Sequence, residues 1–320
     1  MRNLFLLILF FGLFFGIQIV YFENSLNKNT QLDFEDVSKS IVSIESLPNT
    51  PQKKFGSGVI ISSDGYIVTA FHILSGTLST VKIDQETYIA NLIGFDEYAD
   101  LAILKINQES LRPIDFADNF NFKVGQTVFA IGNPYNLGIS VSKGILSGTG
   151  RNFGNPYLDI IQTDAAINQG SSGGAIINSD GQLIGLSTSI ASISGGSDGV
   201  GFALPAERVI SIANEIIKYG RVNRAWIGDF KFKRGYYNKN NERVPALYVF
   251  GIDNSNIKGG LKDGDIIIDI KGTEARWNTL KASVNSILPG EMLELTIDRA
   301  GEIIKLEIIT RERPNIPQVL

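Results

Sequence analysis

Residues 161–188 read IQTDAAINQGSSGGAIINSDGQLIGLST, and at their centre Gly170-Ser171-Ser172-Gly173-Gly174 is the sharpest local feature of the chain. A serine that attacks a carbonyl sits on a turn that exposes its hydroxyl and aims backbone N–H groups at one point. There they stabilise the negative oxygen of a tetrahedral intermediate. Flanking glycines permit such a turn, because they adopt positive φ and let a substrate approach closely. A plain flexible turn has the same composition, so the pentapeptide alone leaves both readings open.

Outward from that turn, Tyr66-Ile67-Val68-Thr69-Ala70-Phe71-His72 is a strand running into the only histidine of the chain. A lone histidine is more often a structural or surface residue than a catalyst. Its place directly after an apolar strand favours chemistry here. Between the two lies Tyr98-Ala99-Asp100-Leu101-Ala102-Ile103-Leu104-Lys105, where Asp100 starts a strand that reads as buried. A buried carboxylate needs a partner. A solvated turn carboxylate is the plainer reading of Asp100, and Asp96 is its rival four residues upstream. The chain order His72, Asp100, Ser172 is that of the chymotrypsin-like serine hydrolases.

Composition narrows the chemistry further. The 320 residues suggest about two domains at ~100–200 residues each. With 29 basic and 33 acidic residues the chain lacks the basic excess of a nucleic-acid-binding protein. It has no cysteine, which excludes thiol nucleophiles, disulfides and thiolate metal sites. One histidine rules out a multi-histidine metal centre, so no metal and no cofactor is expected, and imidazole catalysis has His72 alone to use.

Residues 37–205 alternate short apolar runs with Gly, Asn, Ser and Asp clusters, a pattern of a β-sandwich or barrel. The runs include Gly58–Ile61, Tyr66–Thr69, Ala102–Leu104, Thr127–Ala130 and Gly181–Ile184. Residues 205–220 break the rhythm: Pro205 suits a helix start, Val209, Ile212, Ala213, Ile216 and Ile217 form an apolar stripe, and Gly220 ends it. Beyond it come further β runs at Leu247–Phe250, Asp265–Ile270, Met292–Ile297 and Ile303–Ile309, with a helix-like stretch at Leu280–Ile287. From Arg221 onward there are 16 basic and 13 acidic residues, so this region is mildly basic and the preceding one acidic, which places a boundary near residue 221.

The amino-terminal run Asn3–Phe22 has only Asn3 and Gln18 as clearly polar residues. About 20 apolar residues cross a ~30 Å hydrocarbon core, whereas the apolar part of a cleaved signal peptide is about 7–15 residues long. Residues 1–22 are therefore expected to be an uncleaved transmembrane anchor, and the polar residues 23–36 a tether. Arg2 before the run and Glu23 after it place the rest of the chain outside the cytoplasm, against Lys28 on the far flank.

The chain resembles the HtrA-type serine proteases, which join a trypsin-like domain to PDZ domains. The stretches that carry the resemblance are FGSGVIISSDGYIVTAFHIL (55–74), ADLAILKI (99–106), VFAIGNPYNLG (128–138), residues 161–188 and GVGFALP (199–205). With one anchor and one PDZ-like region it is most similar to the membrane-tethered DegS branch. The resemblance implies a mainly β fold, a two-barrel trypsin-like protease domain over residues 37–220 and a PDZ domain over 221–320, behind the transmembrane helix. It implies Ser172 as nucleophile, His72 as general base and Asp100 as the group that orients the imidazole, with the N–H groups of Gly170 and Ser172 as oxyanion hole. Ser171 stands where zymogen-activated relatives of trypsin have aspartate, so activation by amino-terminal cleavage is not expected. Ser171 and Gln169 replace the family's usual asparagine and a histidine of close relatives.

The S1 pocket in this fold would involve Ala166, Ile167 and Leu186, and Leu186-Ser187-Thr188 would form the edge that pairs with substrate. With no carboxylate at Ala166, cleavage after small or medium apolar residues is expected, because a buried Arg or Lys would be unpaired. Arg151 matches a regulatory-loop arginine. Trp226, Ile227 and Gly228 match the loop that captures a peptide C-terminus, although Asp229 follows it, and Gly259–Ile267 fits a G-L-x-x-G-D-x-I pattern. The resemblance further implies a homotrimer at a bacterial inner membrane, facing the periplasm, in an envelope-stress response. Its protein substrate would be a membrane-spanning anti-sigma factor, and its PDZ ligands the C-termini of misfolded proteins. The alternatives are a broad quality-control protease and a tethered binding or chaperone module without proteolysis.

Overall fold

Several β runs of the first 205 residues bury one face inside a barrel and the other between barrels, and this follows from the two-residue period of a strand. In the computed structural model the described residues are 32–47, 53–75, 78–151, 159–190, 196–239, 241–252 and 260–312. The expected anchor (1–22) and most of the expected tether (23–36) lie outside them. Among the described residues no helix is long and apolar enough to cross a membrane.

A short helix, α1 (Phe34–Ser38), capped by the Asp33 side chain, leads into the first barrel. That barrel is antiparallel and contains β1 (Ile41–Ser46), β2 (Lys54–Ile60), β3 (Tyr66–Ala70), β4 (Ser79–Ile83), β5 (Glu86–Asp96) and β6 (Leu101–Lys105). It closes in the order β1-β2-β3-β6-β5-β4. The second barrel contains β7 (Thr127–Gly132), β8 (Ser140–Arg151), β9 (Ile160–Thr163), β10 (Ala175–Ile177), β11 (Leu183–Ile190) and β12 (Gly201–Pro205). It closes in the order β10-β11-β12-β9-β8-β7.

Ile60, Ile67 and Leu104 fill the first barrel, and Val128, Leu146, Ile176 and Ile184 fill the second. Their strand neighbours Val59, Val68, Ile103, Ile177 and Leu183 join a third core between the barrels. Each such side chain contributes roughly 1.5–3 kcal/mol on full burial, so packing rather than any cross-link holds the barrels face to face. The helix after β12, α2 (Ala206–Tyr219), lays Val209, Ile212, Ala213 and Ile216 on this core. Ile217, expected in the stripe, is instead exposed, because one residue along a helix turns the side chain by about 100° out of the buried face. Gly220 ends the helix at φ 74°, its N–H bonded to the Ile216 carbonyl at 2.7 Å.

Beyond Gly220 a separate core gathers Leu247, Val249, Ile267, Ile270, Leu280, Val284, Leu293, Leu295 and Ile297. Its elements are β13 (Ala225–Trp226), β14 (Lys231–Lys239), β15 (Glu242–Phe250), β16 (Ile266–Ile270), β17 (Thr273–Glu274), α3 (Trp277–Asn285), β18 (Met292–Arg299), β19 (Glu302–Ile309) and β20 (Arg311–Glu312). The main sheet runs β14-β15-β16-β18-β19, and β13 pairs with β20. The helix-like stretch at Leu280–Ile287 is α3, beginning three residues earlier. β14, with the sequence KFKRGYYNK, carries no apolar run; it exists because its nine residues pair one for one with β15.

Candidate active site

β3 ends at Ala70 and the chain makes a single 3₁₀ turn, Phe71–Ile73, which brings His72 out of the barrel. Asp100 sits just before β6, the neighbour of β3, at φ 52°. Its carbonyl accepts the Phe71 N–H at 3.1 Å, its Oδ1 accepts the His72 N–H at 2.9 Å, and its Oδ2 lies 2.7 Å from His72 Nδ1. An ionised carboxylate only accepts, so Nδ1 carries the proton and Nε2 keeps its lone pair. The imidazole is half exposed. Asp96, the rival carboxylate, is buried at the end of β5 and paired with Arg224.

The Ser172 turn belongs to the second barrel and lies against the first. Ser171 N–H donates to the Asn168 carbonyl at 2.9 Å, Gly173 N–H to Ser187 at 2.7 Å and Gly174 N–H to Ser171 at 2.9 Å. Among the described residues no acceptor takes the N–H of Gly170 or of Ser172. These are the two donors that the motif assigns to an oxyanion. Gly173 has φ 82°, and a Cβ there would lie 2.2 Å from the Ser57 carbonyl oxygen. Only glycine lets β2 approach the serine turn this closely. The Ser172 hydroxyl donates to the Thr188 carbonyl at 3.5 Å, and no hydrogen bond joins it to His72.

With this geometry in view, the family described as "Trypsin-like peptidase domain" matches residues 56–186. A "Probable periplasmic serine endoprotease DegP-like" of Marinomonas sp. (strain MWYL1) is 36% identical over 286 residues, 84% of this chain and 59% of that protein. Its namesake in Brucella suis biovar 1 (strain 1330) is 38% identical over 274 residues, 81% of this chain and 53% of that protein. The chain thus spans little more than half the length of these relatives. The solved structure described as "HtrA-type protease AlgW with tripeptide" superposes with a TM-score of 0.80 at 32% identity, covering 90% of this chain and 99% of that one. The chain belongs to the HtrA-type serine protease family. A serine endoprotease from Yersinia pestis superposes with a TM-score of 0.72 at 30% identity, over 88% of this chain and 99% of that one.

The other expected site residues of this HtrA-type chain are dispersed. Ala166 is exposed and lines a recess of about 90 Å³ with Ser142, Asn168, Ser171 and Ser187. Ile167 is buried in the core of the second barrel, where its Cδ1 would lie 2.7 Å from a Cβ at Gly201. Leu186 does not reach that region with its side chain: it is fully buried in the core between the barrels. Its backbone is paired on both sides, with Ala175 and Leu204, and Ser187 is likewise held by Gly173, Gly174 and Ala203. The edge expected over Leu186-Ser187-Thr188 is therefore already paired at its first two residues, and Thr188 is the first position beyond them. Arg151, at the end of β8, is exposed, and its Nε donates to Gln162 Oε1 at 3.2 Å. Among the described residues no three His, Asp or Glu side chains converge in a way that would hold a metal ion.

Trp226 and Ile227 are both buried, and Gly228 takes φ 103°. The Trp226 indole N–H donates to Asp229 Oδ1 at 3.2 Å, so the carboxylate that follows the loop is tied back to it. Gly260–Ile267 of the expected G-L-x-x-G-D-x-I stretch is described, and Gly259 lies outside. There Asp265, buried, takes two bonds from Arg299 at 2.8 Å.

Among the described residues, several interactions join this unit to the barrels and to α2, including the Asn223 N–H on Glu215 Oε2 at 3.2 Å. Arg224 reaches Asp96 of β5. Lys281 on α3 lies near Asp159 and Arg208: burial pushes its pKa down, Asp159 pulls it back up, and Arg208 pushes it down again. Burial also lowers the Arg208 guanidinium, with Arg224 acting in the same direction. Sequence reading missed Arg224, whose only signal was a cation between a helix end and a strand.

Proposed function

We propose that the chain is an HtrA-type serine endopeptidase acting outside the cytoplasm, with Ser172 as nucleophile, His72 as general base and Asp100 as the residue that orients the imidazole. The observation that carries this reading is the His72–Asp100 contact on one barrel beside a serine turn on the other whose Gly170 and Ser172 N–H groups are left without acceptors. In the reaction, Ser172 leaves the Thr188 carbonyl and passes its proton to His72 Nε2 as Oγ adds to the scissile carbonyl. The Asp100 carboxylate stabilises the imidazolium that forms. The new oxyanion takes the Gly170 and Ser172 N–H groups, and His72 then protonates the leaving amine. In the resting arrangement the hydroxyl bonds to Thr188, which fits an enzyme whose site completes itself with substrate or effector.

Substrate would be an unfolded or extended protein segment cleaved after a small or medium apolar residue, since Ala166 and Ile167 offer no carboxylate for a basic side chain. Residues 221–320 are proposed to be a PDZ domain that gates the protease. It would capture peptide C-termini at Trp226, Ile227 and Gly228, and Arg151 would help to relay its occupancy. Support comes from the Arg224–Asp96 pair, which ends four residues before Asp100, and from Lys281 beside Asp159. A solved relative described as "HtrA-type protease AlgW with decapeptide" supports peptide binding in such proteins. A membrane anchor at residues 1–22, a homotrimer, a periplasmic site of action and an envelope-stress signalling role complete the proposal.

A fluorophosphonate probe tests the core of it. Labelling of the wild-type chain that disappears in Ser172→Ala is the expected result; labelling that survives the substitution would refute it. Profiling a peptide library tests the pocket, and dominant cleavage after Arg or Lys would overturn the apolar preference. Deletion of residues 221–320 should alter basal activity, and unchanged activity and peptide response would count against gating.

A further inference from the structure

Ser57, on β2 of the first barrel, is fully buried, and every polar atom it carries is engaged at the boundary between the barrels. Its N–H donates to the Ser172 carbonyl at 2.8 Å, and its carbonyl accepts the Thr69 hydroxyl at 2.7 Å. The Ser57 hydroxyl accepts the Asn133 N–H at 2.8 Å and donates to the Gly170 carbonyl at 2.7 Å. A hydroxyl has one proton and two lone pairs. With the Asn133 N–H on one lone pair, the proton has a defined direction, towards Gly170. Asn133 is itself held, because its side chain donates to Ser43 at 2.6 Å and accepts the Gly138 N–H at 2.7 Å.

The Gly170 carbonyl belongs to the peptide unit joining Gly170 to Ser171. That unit lies between the two whose N–H groups serve as oxyanion donors, those of Gly170 and Ser172. Gly170 is at φ 94° and, having no Cβ, does not hold the unit by its own sterics. An uncompensated change of ψ at Gly170 or of φ at Ser171 would reorient this unit and turn the two donors apart. Two contacts oppose this rotation: the Ser171 N–H on the Asn168 carbonyl at 2.9 Å, and the Ser57 hydroxyl on the Gly170 carbonyl. Without the hydroxyl, a buried carbonyl is left unsatisfied, and such a group gains by turning towards another partner.

We propose that Ser57 is a positioning residue for the oxyanion hole, acting from the opposite barrel through the Gly170 carbonyl. The inference rests on the reading of Gly170 and Ser172 as oxyanion donors. It predicts that the hydroxyl affects the transition state and not substrate capture. Three full-length variants separate the cases: Ser57→Ala removes the hydroxyl, Ser57→Thr retains it, and Ser172→Ala controls for the nucleophile.

With a peptide bearing alanine or valine at the cleaved position, Ser57→Ala should lower kcat by about 10–100-fold, somewhat less than outright loss of one oxyanion donor. KM should stay near the wild-type value. Affinity for a peptide boronic acid, whose tetrahedral adduct occupies the same donors, should fall with kcat, and the melting temperature should drop by several degrees, because the Gly170 carbonyl and the Asn133 N–H each lose a buried partner. Ser57→Thr should keep most of the rate. A Ser57→Ala enzyme with unchanged kcat, a loss confined to KM, or a Ser57→Thr variant as impaired as Ser57→Ala would each overturn the proposal. Should Ser57→Ala fail to fold, Ser57→Cys, whose thiol donates only weakly, replaces it with the same expected split. A wild-type chain that fluorophosphonate does not label refutes the parent reading and this inference with it; a labelled wild type with an unaffected Ser57→Ala refutes this inference alone.

Discussion

His72 and Asp100 are joined twice: Oδ2 lies 2.7 Å from the imidazole Nδ1, and Oδ1 takes the His72 backbone N–H at 2.9 Å. One carboxylate therefore sets both the tautomer of the ring and the place of the turn that carries it. Asp100→Asn keeps the shape and loses the charge, and it allows the ring to adopt the wrong tautomer. Its kcat should fall by about 10⁴-fold, in steady-state kinetics on a peptide substrate. His72→Ala should abolish turnover as fully as Ser172→Ala, since the chain has no second histidine to act as base. A loss of less than about tenfold in either variant would contradict the assignment, because positioned general bases contribute about 10²–10⁴-fold.

Gly173 packs directly against the first barrel at the site. An added Cβ would lie 2.2 Å from the Ser57 carbonyl oxygen and 2.4 Å from Thr69 Oγ1, at a φ of 82°. Backbone strain of this kind costs about 1–3 kcal/mol before the clash is counted. Gly173→Ala should therefore lower the melting temperature and abolish fluorophosphonate labelling together. Retained labelling with an unchanged melting temperature would show that the barrels tolerate separation at this point.

Asp96 and Arg224 form a buried ion pair, their side chains only 3% and 9% exposed. Removing one partner strands the other charge, at a cost of about 3–5 kcal/mol for a buried pair. Asp96→Ala and Arg224→Ala should each destabilise the chain by roughly that amount, and the double variant by clearly less than the sum of the two. Denaturant unfolding of the four proteins measures the coupling. Additive effects would mean that the pair does not join the C-terminal unit to the barrels.

At the edge of the first barrel, Arg112 donates from Nε and Nη2 to Asp36 Oδ2, at 2.9 and 2.7 Å. The Arg112 hydrogen bond holds the Asp36 carboxyl below the usual carboxylate range. Its folded pKa is thus lower than its unfolded one. The stabilisation is present above the unfolded value and is lost as pH falls through the lowered folded value. α1 should stay attached through the ordinary carboxylate titration and release only in stronger acid, followed by hydrogen exchange of residues 34–38 against pH. Asp36→Asn should remove this acid-dependent step; the same pH profile in the variant would assign it to another group.

Much of the site was legible because nucleophile turns and strand ends are local. Glycines around Ser172 announce a turn, and an apolar strand running into His72 announces a side chain carried to a barrel rim. Asp100 was not separable from Asp96 by the same means, since both stand at strand ends four residues apart. The choice was made by partners: His72 is 28 residues from Asp100, whereas Arg224 lies 128 residues beyond Asp96. β14 escaped notice for a related reason. Its residues alternate without an apolar face, and only full pairing with β15 makes it a strand.

By itself the sequence determined which segments alternate, where turns form, which residue is the only imidazole, and that the helix after Pro205 has an apolar stripe, of which the structure buries Val209, Ile212, Ala213 and Ile216 and exposes Ile217. These follow from periodicity and backbone sterics over a few neighbouring residues. The tertiary structure decided that Asp100 and not Asp96 faces His72, that Leu186 points into the core, and that Ser57 of one barrel bonds the serine turn of the other. Those contacts exist only after both barrels have closed and packed, because hydrogen bonds and apolar contacts between distant segments depend on the whole arrangement that brings them within reach.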